Sequence, residues 1–231
     1  MKTIKSIIII LLGQLLFFSC KKEIPRLGTT ASLTIINASQ AVPEIVGNFA
    51  PKGIPYYEDA LSISYGSSLE YGLPTGSNYL NLLSSTDSTQ LLFHGSVNLK
   101  AGGIYSLYVF GNALSIDTLF TSDQIPIHQD SVAGARLINL SPDSGPLNVS
   151  LQGSSQNEFN NVSFKSITSF TTLPVNPTIT NSGGYNFQVT NNSGTVLATL
   201  NWNPTVFKNY TFVIAGSETA SSIKLFAVNN F

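Results

Sequence analysis

Few side chains in this sequence are of the kinds that do chemistry, and their spacing limits what they can do. Cys20 is the only cysteine among 231 residues, and His94 and His128 are the two histidines. His128-Gln129-Asp130-Ser131 puts a base, an acid and a hydroxyl into one short string. A nucleophile, its base and an orienting acid must converge in space, and neighbours on an extended chain point to alternate sides, so the string alone is no triad. No Gly-x-Ser-x-Gly turn is present to expose a serine. Glu58 and Asp59 are adjacent carboxylates that a strand would aim at opposite faces, whereas glycoside hydrolysis needs a carboxyl pair across a cleft. Zinc and calcium patterns are missing: there is no His-Glu-x-x-His and no acidic twelve-residue loop. The sequence therefore nominates no catalytic residue, no metal site and no cofactor, and predicts a protein that is not an enzyme.

Binding by aromatic platforms is easier to support. Tyr56 and Tyr57 fall in a stretch with prolines at 43, 51 and 55, and are the candidate ligand contacts. Trp202 is in phase with Leu200 in an alternating run, which predicts core packing for the indole. His94, inside Leu91-Leu92-Phe93-His94-Gly95, reads as a strand residue that faces solvent or makes one hydrogen bond.

These residues must be positioned by strands. Ser32–Asn37, Leu61–Tyr65, Tyr79–Leu82, Leu91–Val97, Ile104–Phe110 and Ser115–Phe120 are β-branched, aromatic or alternating, with turn signals such as Pro74-Thr75-Gly76 and Gly102-Gly103 between them. Ala41 to Tyr57 reads as a long loop. A second series covers Ala135–Ser141, Leu147–Leu151, Ser163–Phe170, Tyr185–Thr190, Val196–Trp202, Tyr210–Ala215 and Ile223–Val228. No amphipathic helix stands out. The halves repeat in order: Ile36-Asn37-Ala38-Ser39 matches Ile138-Asn139-Leu140-Ser141 at an offset of 102, and Tyr105–Gly111 matches Tyr210–Gly216 at 105. The expected fold is all-β: two tandem antiparallel immunoglobulin-like β-sandwich domains at residues 31–122 and 135–231, joined by a linker at 123–134.

Composition sets the compartment. Only 10% of residues are charged, against about 25% in ordinary globular chains. The net charge is −1, and no basic patch predicts nucleic-acid binding. The chain starts with Lys2 and Lys5, then an apolar stretch to Phe18 that is too short to span a bilayer but long enough for export.

Leu16-Phe17-Phe18-Ser19-Cys20 resembles the end of a bacterial lipoprotein signal. The resemblance implies a signal peptide at 1–19, lipidation of Cys20 as the mature N-terminus, and a tether at 20–30. Lys21-Lys22-Glu23 resembles the charged signals of Bacteroidetes surface lipoproteins. The implied location is the outer membrane, on its periplasmic or cell-surface face, with the membrane as partner. Leu99 to Tyr105 resembles the tyrosine corner of immunoglobulin-like sandwiches, in which a phenol binds nearby backbone; in the second repeat Tyr210 is kept, but Phe207-Lys208 replaces the glycines. Ala135 to Val149, with its Ser141-Pro142-Asp143 turn, and Lys208-Asn209-Tyr210-Thr211 resemble the family called domain of unknown function 4397, which implies exported, duplicated domains without a known activity. Asp87-Ser88-Thr89, Asp117-Thr118-Leu119 and Asp130-Ser131-Val132 resemble Bacteroidetes O-glycosylation sites. Together these imply a non-enzymatic structural or binding module of the envelope with a protein or glycan partner. A carbohydrate-binding accessory lipoprotein of surface glycan capture is the alternative.

Overall fold

The computed structural model describes residues 29–49, 61–87, 91–112 and 115–230. The signal segment, Cys20, Tyr56-Tyr57 and Glu58-Asp59 lie outside the described residues. The first series of strands is β1 (Thr30–Asn37), β2 (Glu44–Asn48), β3 (Ser62–Ser64), β4 (Ser68–Pro74), β5 (Gly76–Ser84), β6 (Leu91–Leu99), β7 (Ile104–Asn112) and β8 (Ser115–Asp123). The second is β9 (Val132–Asn139), β10 (Leu147–Leu151), β11 (Asn157–Val162), β12 (Thr171–Pro174), β13 (Tyr185–Thr190), β14 (Val196–Trp202), β15 (Asn209–Ala215) and β16 (Lys224–Asn229), with one short helix, α1 (Pro177–Asn181), after β12.

Each series folds into a sandwich. Sheets β4-β1-β7-β8 and β3-β2-β5-β6 close around Leu33, Ile35, Leu80, Leu82 and Leu107. Sheets β12-β9-β15-β16 and β11-β10-β13-β14 close around Leu137, Val149, Phe187, Phe212 and Ile214. The tandem all-β sandwiches are as expected, but the sheets are mixed instead of purely antiparallel. β1 runs parallel to β7, with Leu33 opposite Tyr105, and β9 runs parallel to β15, with Ala135 opposite Tyr210. Five strands intervene in each case, so no hairpin forces the antiparallel direction. The order also differs from that of immunoglobulin sheets, because the first strand lies between the fourth and the seventh rather than beside the second.

The two sandwiches pack against each other through β4-β1-β7-β8 and β12-β9-β15-β16. Ile36, Tyr108 and Phe110 of the first meet Ile138, Val213 and Val228 of the second. A sheet covered on both faces needs apolar residues at nearly every position. That is why β7 (IYSLYVFGN) and β15 (NYTFVIA) read as continuous apolar runs, while β6 and β14 on the outer sheets alternate.

Local details depart from the sequence reading. Glu44–Asn48 is strand, not loop: Ile45 lies opposite Ile63 and Ser84 even though prolines flank the segment. Ser163–Phe170 is not a strand, because the chain turns at Lys165 (φ 63) and only Ile167 bridges to Ile138. β4, β11 and β12 carry too few consecutive apolar residues to stand out. α1 is capped by Asn176, whose side chain accepts from the Ile179 N–H at 3.0 Å, and is too short to show a helical period. Both tyrosine corners form. The Tyr105 hydroxyl accepts from the Lys100 N–H at 3.0 Å and the Tyr210 hydroxyl from the Thr205 N–H at 3.2 Å. In the second corner Phe207 adopts φ 65, matching Gly102 at φ 67.

Candidate functional site

The two repeated Ile-Asn-x-Ser strings turn out to be structural devices. Asn37 is fully buried; its amide donates to the carbonyls of Val42 and Ile63, and its oxygen accepts from the Ser39 N–H. Asn139 does the same with Val162 O, Ser144 Oγ and the Ser141 N–H. Each ties the end of its first strand to the crossing chain and satisfies groups that burial would otherwise leave without partners.

At the junction lies the buried charged pair of the described residues. Arg136, 5% exposed, donates from Nη2 to Asp123 Oδ1 at 2.8 Å and from Nε to Thr211 Oγ1 at 2.8 Å. Asp123 also accepts from the Ser106 hydroxyl at 2.6 Å and the Thr121 hydroxyl at 3.1 Å, and Thr211 donates to Asn230. Arg136 Nη2 reaches the Tyr108 hydroxyl at 3.5 Å, and burial raises the phenol's pKa, with the Arg136 charge opposing. The Phe170 ring covers the guanidinium at 4.9 Å. A charge pair so enclosed is held by these hydrogen bonds, and its groups are committed to that pairing.

The starts of β1 and β9 lie at one pole of the molecule. At the other, the β1–β2, β9–β10 and β15–β16 turns and the end of β7 surround a cleft of about 380 Å³ between the sandwiches. Its walls are built by Gln40, Asn112, Pro142, Asp143 and Ser217. Gln40 crosses the junction and donates to the Ser222 carbonyl at 2.6 Å and to the Tyr65 hydroxyl at 3.1 Å. Asp143, from the Ser-Pro-Asp turn, accepts from Ser217 Oγ at 2.5 Å and from the N–H groups of Glu218 and Thr219 at 3.0 and 3.1 Å. Partial desolvation favours its neutral form, but these donors outweigh it and hold the carboxyl well below the usual carboxylate range. The turn thus clips β9–β10 onto β15–β16.

The other candidate groups are placed apart. The His128 ring binds Asn209 Oδ1 at 2.8 Å, and Asn209 in turn donates to Pro126 O at 2.8 Å. Gly134 is required beneath them, since a Cβ there would stand 2.0 Å from Asn209 Oδ1. Ser131 continues toward β9, its carbonyl taken by the Val175 N–H. The string 128–131 therefore assembles no triad. Asp117 pairs with Lys165 across the junction at 2.7 Å, and Asp117-Thr118-Leu119 lies inside β8. Trp202 is 6% exposed among Tyr185, Phe187, Tyr210 and Phe212, as its phase predicted. No group of three His, Cys, Asp or Glu side chains converges among the described residues.

One exposed aromatic was missed by the sequence reading. Tyr79, 55% exposed, stands on the outer face of β5 opposite Ser96; one step along, Asn81 lies opposite His94, with His94 Nδ1 and Asn81 Oδ1 2.6 Å apart. Ser77 and Asn98 form the next pair. The signal was the alternation of Ser77, Tyr79 and Asn81, which puts the ring on the polar side of its strand.

No protein-family model matches the chain, and no curated protein matches it. Among solved structures it is similar to a family 26 carbohydrate-binding module of Eubacterium rectale Amy13K, solved in complex with maltoheptaose, at 12% identity and a TM-score of 0.28 over 86% of this chain and 96% of that one. It is similar also to a streptococcal virulence factor described as binding alpha-glucan, at 10% identity and a TM-score of 0.25 over 85% and 97% of the two chains. A cell adhesion protein of Bacteroides eggerthii, so described, aligns at 9% identity and a TM-score of 0.21 over 87% and 96%.

Proposed function

We propose that this chain is an exported lipoprotein, anchored through Cys20 on the outer membrane, that serves as a non-enzymatic binding or structural module of the cell envelope. The observation that carries the non-catalytic part is what the chemically capable groups do. Arg136 and Asp123 are enclosed in the junction, Asp143 clips two turns together, and His128 is held by Asn209. Each is engaged in a structural pairing, between the sandwiches for Arg136 and Asp123 and at the second sandwich for Asp143 and His128, and a group held in a static pairing is poorly placed to exchange protons with a substrate. The anchor reading rests on the apolar stretch that ends at Cys20. Two or more acyl chains hold a protein to a bilayer almost permanently, at about 0.8 kcal/mol per buried CH₂. Membrane fractionation of Cys20→Ser against the parent tests it: the parent pellets and the variant loses acylation. A parent without acyl chains overturns the anchor.

A second reading, glycan capture, is favoured by the outer face of β5 and β6. An exposed ring flanked by uncharged amides, an imidazole and hydroxyls supplies an apolar platform beside donors and acceptors, which suits a neutral saccharide. Affinity electrophoresis in soluble polysaccharides tests it with Tyr79→Ala. Retardation lost in the variant supports capture, and equal mobility in every gel excludes this face.

A further inference from the structure

The pole opposite the cleft carries an apolar rim. Ile127, 93% exposed, projects from the segment between the sandwiches; with Ile104, Ile125, Pro126 and Phe207 it borders a hollow of about 430 Å³. Phe207 breaks a local rule. Its backbone N–H donates to Val132 O at 2.8 Å, as that of Gly102 donates to Thr30 O at 2.9 Å, and the two residues share φ near 65°. Glycine performs this backbone role in the first sandwich, and an L side chain there is strained. The ring is 52% exposed, so no matching gain comes from burial in the core. A residue that costs stability without gain inside the fold points to a partner outside it.

The chain shows what that partner is. The Gly102–Thr30 bond sets the start of β1 at this same pole, and Thr29 is the first described residue, at the end of the tether. The segment from Cys20 to Thr29 reaches at most about 30 Å when extended. Whatever holds Cys20 therefore lies within that distance of Thr29, on the side of the pole that carries Ile127 and Phe207. Lys100 and Lys208 are exposed at this pole, together with Asp130, and Lys21, Lys22 and Arg26 lie in the tether. Apolar tips among cations match an anionic bilayer surface.

We propose that this rim seats in the membrane, with Ile127 and Phe207 entering the interface between headgroups and acyl chains, so that the cleft pole points away from the bilayer. The proposal rests on the reading of Cys20 as the anchor. With Cys20 acylated, a second cysteine is a unique thiol, so the test uses the full lipidated chain carrying Ile127→Cys, Phe207→Cys or Val196→Cys. Val196 is a half-exposed control near the β15–β16 turn, at the cleft pole. Each is labelled with an environment-sensitive fluorophore and reconstituted into phosphatidylethanolamine–phosphatidylglycerol vesicles containing acyl-chain nitroxide lipids. Labels at 127 and 207 are expected to shift to the blue and to be quenched at least about twofold more than the label at 196. Chains that pellet with vesicles but show equal quenching at all three positions overturn the proposal and leave the anchor standing. A blue shift without nitroxide quenching shows the tether folded over the rim and also overturns it. Chains that stay in the supernatant overturn the anchor reading and this proposal together.

Discussion

Where the first sandwich has Thr34 the second has Arg136, and where the second ends on Asn230 the first ends on Asp123. These pairs are equivalent by strand register: Thr34 lies opposite Ser106 as Arg136 lies opposite Thr211, and Asp123 ends β8 opposite Ile104 as Asn230, just past β16, binds back to Asn209. The hydroxyl–acceptor contacts are equivalent too, Ser106 with Asp123 and Thr211 with Asn230. One of the two matching positions has therefore become a charged pair while its counterpart stayed neutral. The same asymmetry recurs at Gly66 and Lys165. Both donate their N–H to the carbonyl of the repeated asparagine, Asn37 or Asn139, but Lys165 accepts φ 63 and reaches Asp117. A duplicated fold keeps its backbone hydrogen bonds in both copies and diverges where the copies face each other, because there a side chain meets a different neighbour.

The comparison can be broken most sharply at the charged pair. Arg136→Ala leaves Asp123 buried without its cation and should lower unfolding stability by about 3–5 kcal/mol, read as a fall in the urea midpoint. Putting in the residues of the other copy, Arg136→Thr with Asp123→Asn, should recover about half of that loss or more. A double variant no more stable than the single one would show that packing, not charge, matters at this position.

The repeated asparagines test what the copies share. Asn37→Ala and Asn139→Ala each strand buried carbonyls and should cost about 2 kcal/mol apiece in thermal or urea unfolding. Unequal losses would show that the two caps have diverged.

Phe207→Gly should instead raise stability by about 1 kcal/mol, since the change gives the second corner the residue that the first uses at the same φ. A loss on this change would mean that the ring packs in solution.

The smallest effect is expected at Asp143. Its folded pKa lies below the unfolded value, so its contribution is present above the unfolded carboxylate pKa, about 4, and is lost as pH falls through the folded value. Asp143→Asn should flatten the acid limb of the stability–pH curve by less than about 1 kcal/mol, because solvent screens the exposed group. An unchanged limb would place the acid sensitivity elsewhere.

Much of this was legible in the chain. The Ile-Asn-x-Ser strings and the two tyrosines marked the duplication because each does the same backbone job twice. The phase of Trp202 with Leu200 put it in the core. Other features were hidden for physical reasons. Glu44–Asn48 is a strand through its ladder to distant β5, and the prolines around it mask that signal. Tyr79 stands exposed on the outer face of its sheet, whereas Tyr108, on a strand apolar at nearly every position, is buried by the second sandwich.

Alternation, turn chemistry and repeat length were enough to specify strands, two copies and the absence of an obvious catalytic string, because these are local properties of consecutive residues. The parallel pairing of β1 with β7, the burial of Ile36 and Phe110, and the union of Arg136 with Asp123 were decided only when the chain closed on itself. A period of two tells which residues share a face, but what covers that face is set by residues a hundred positions away.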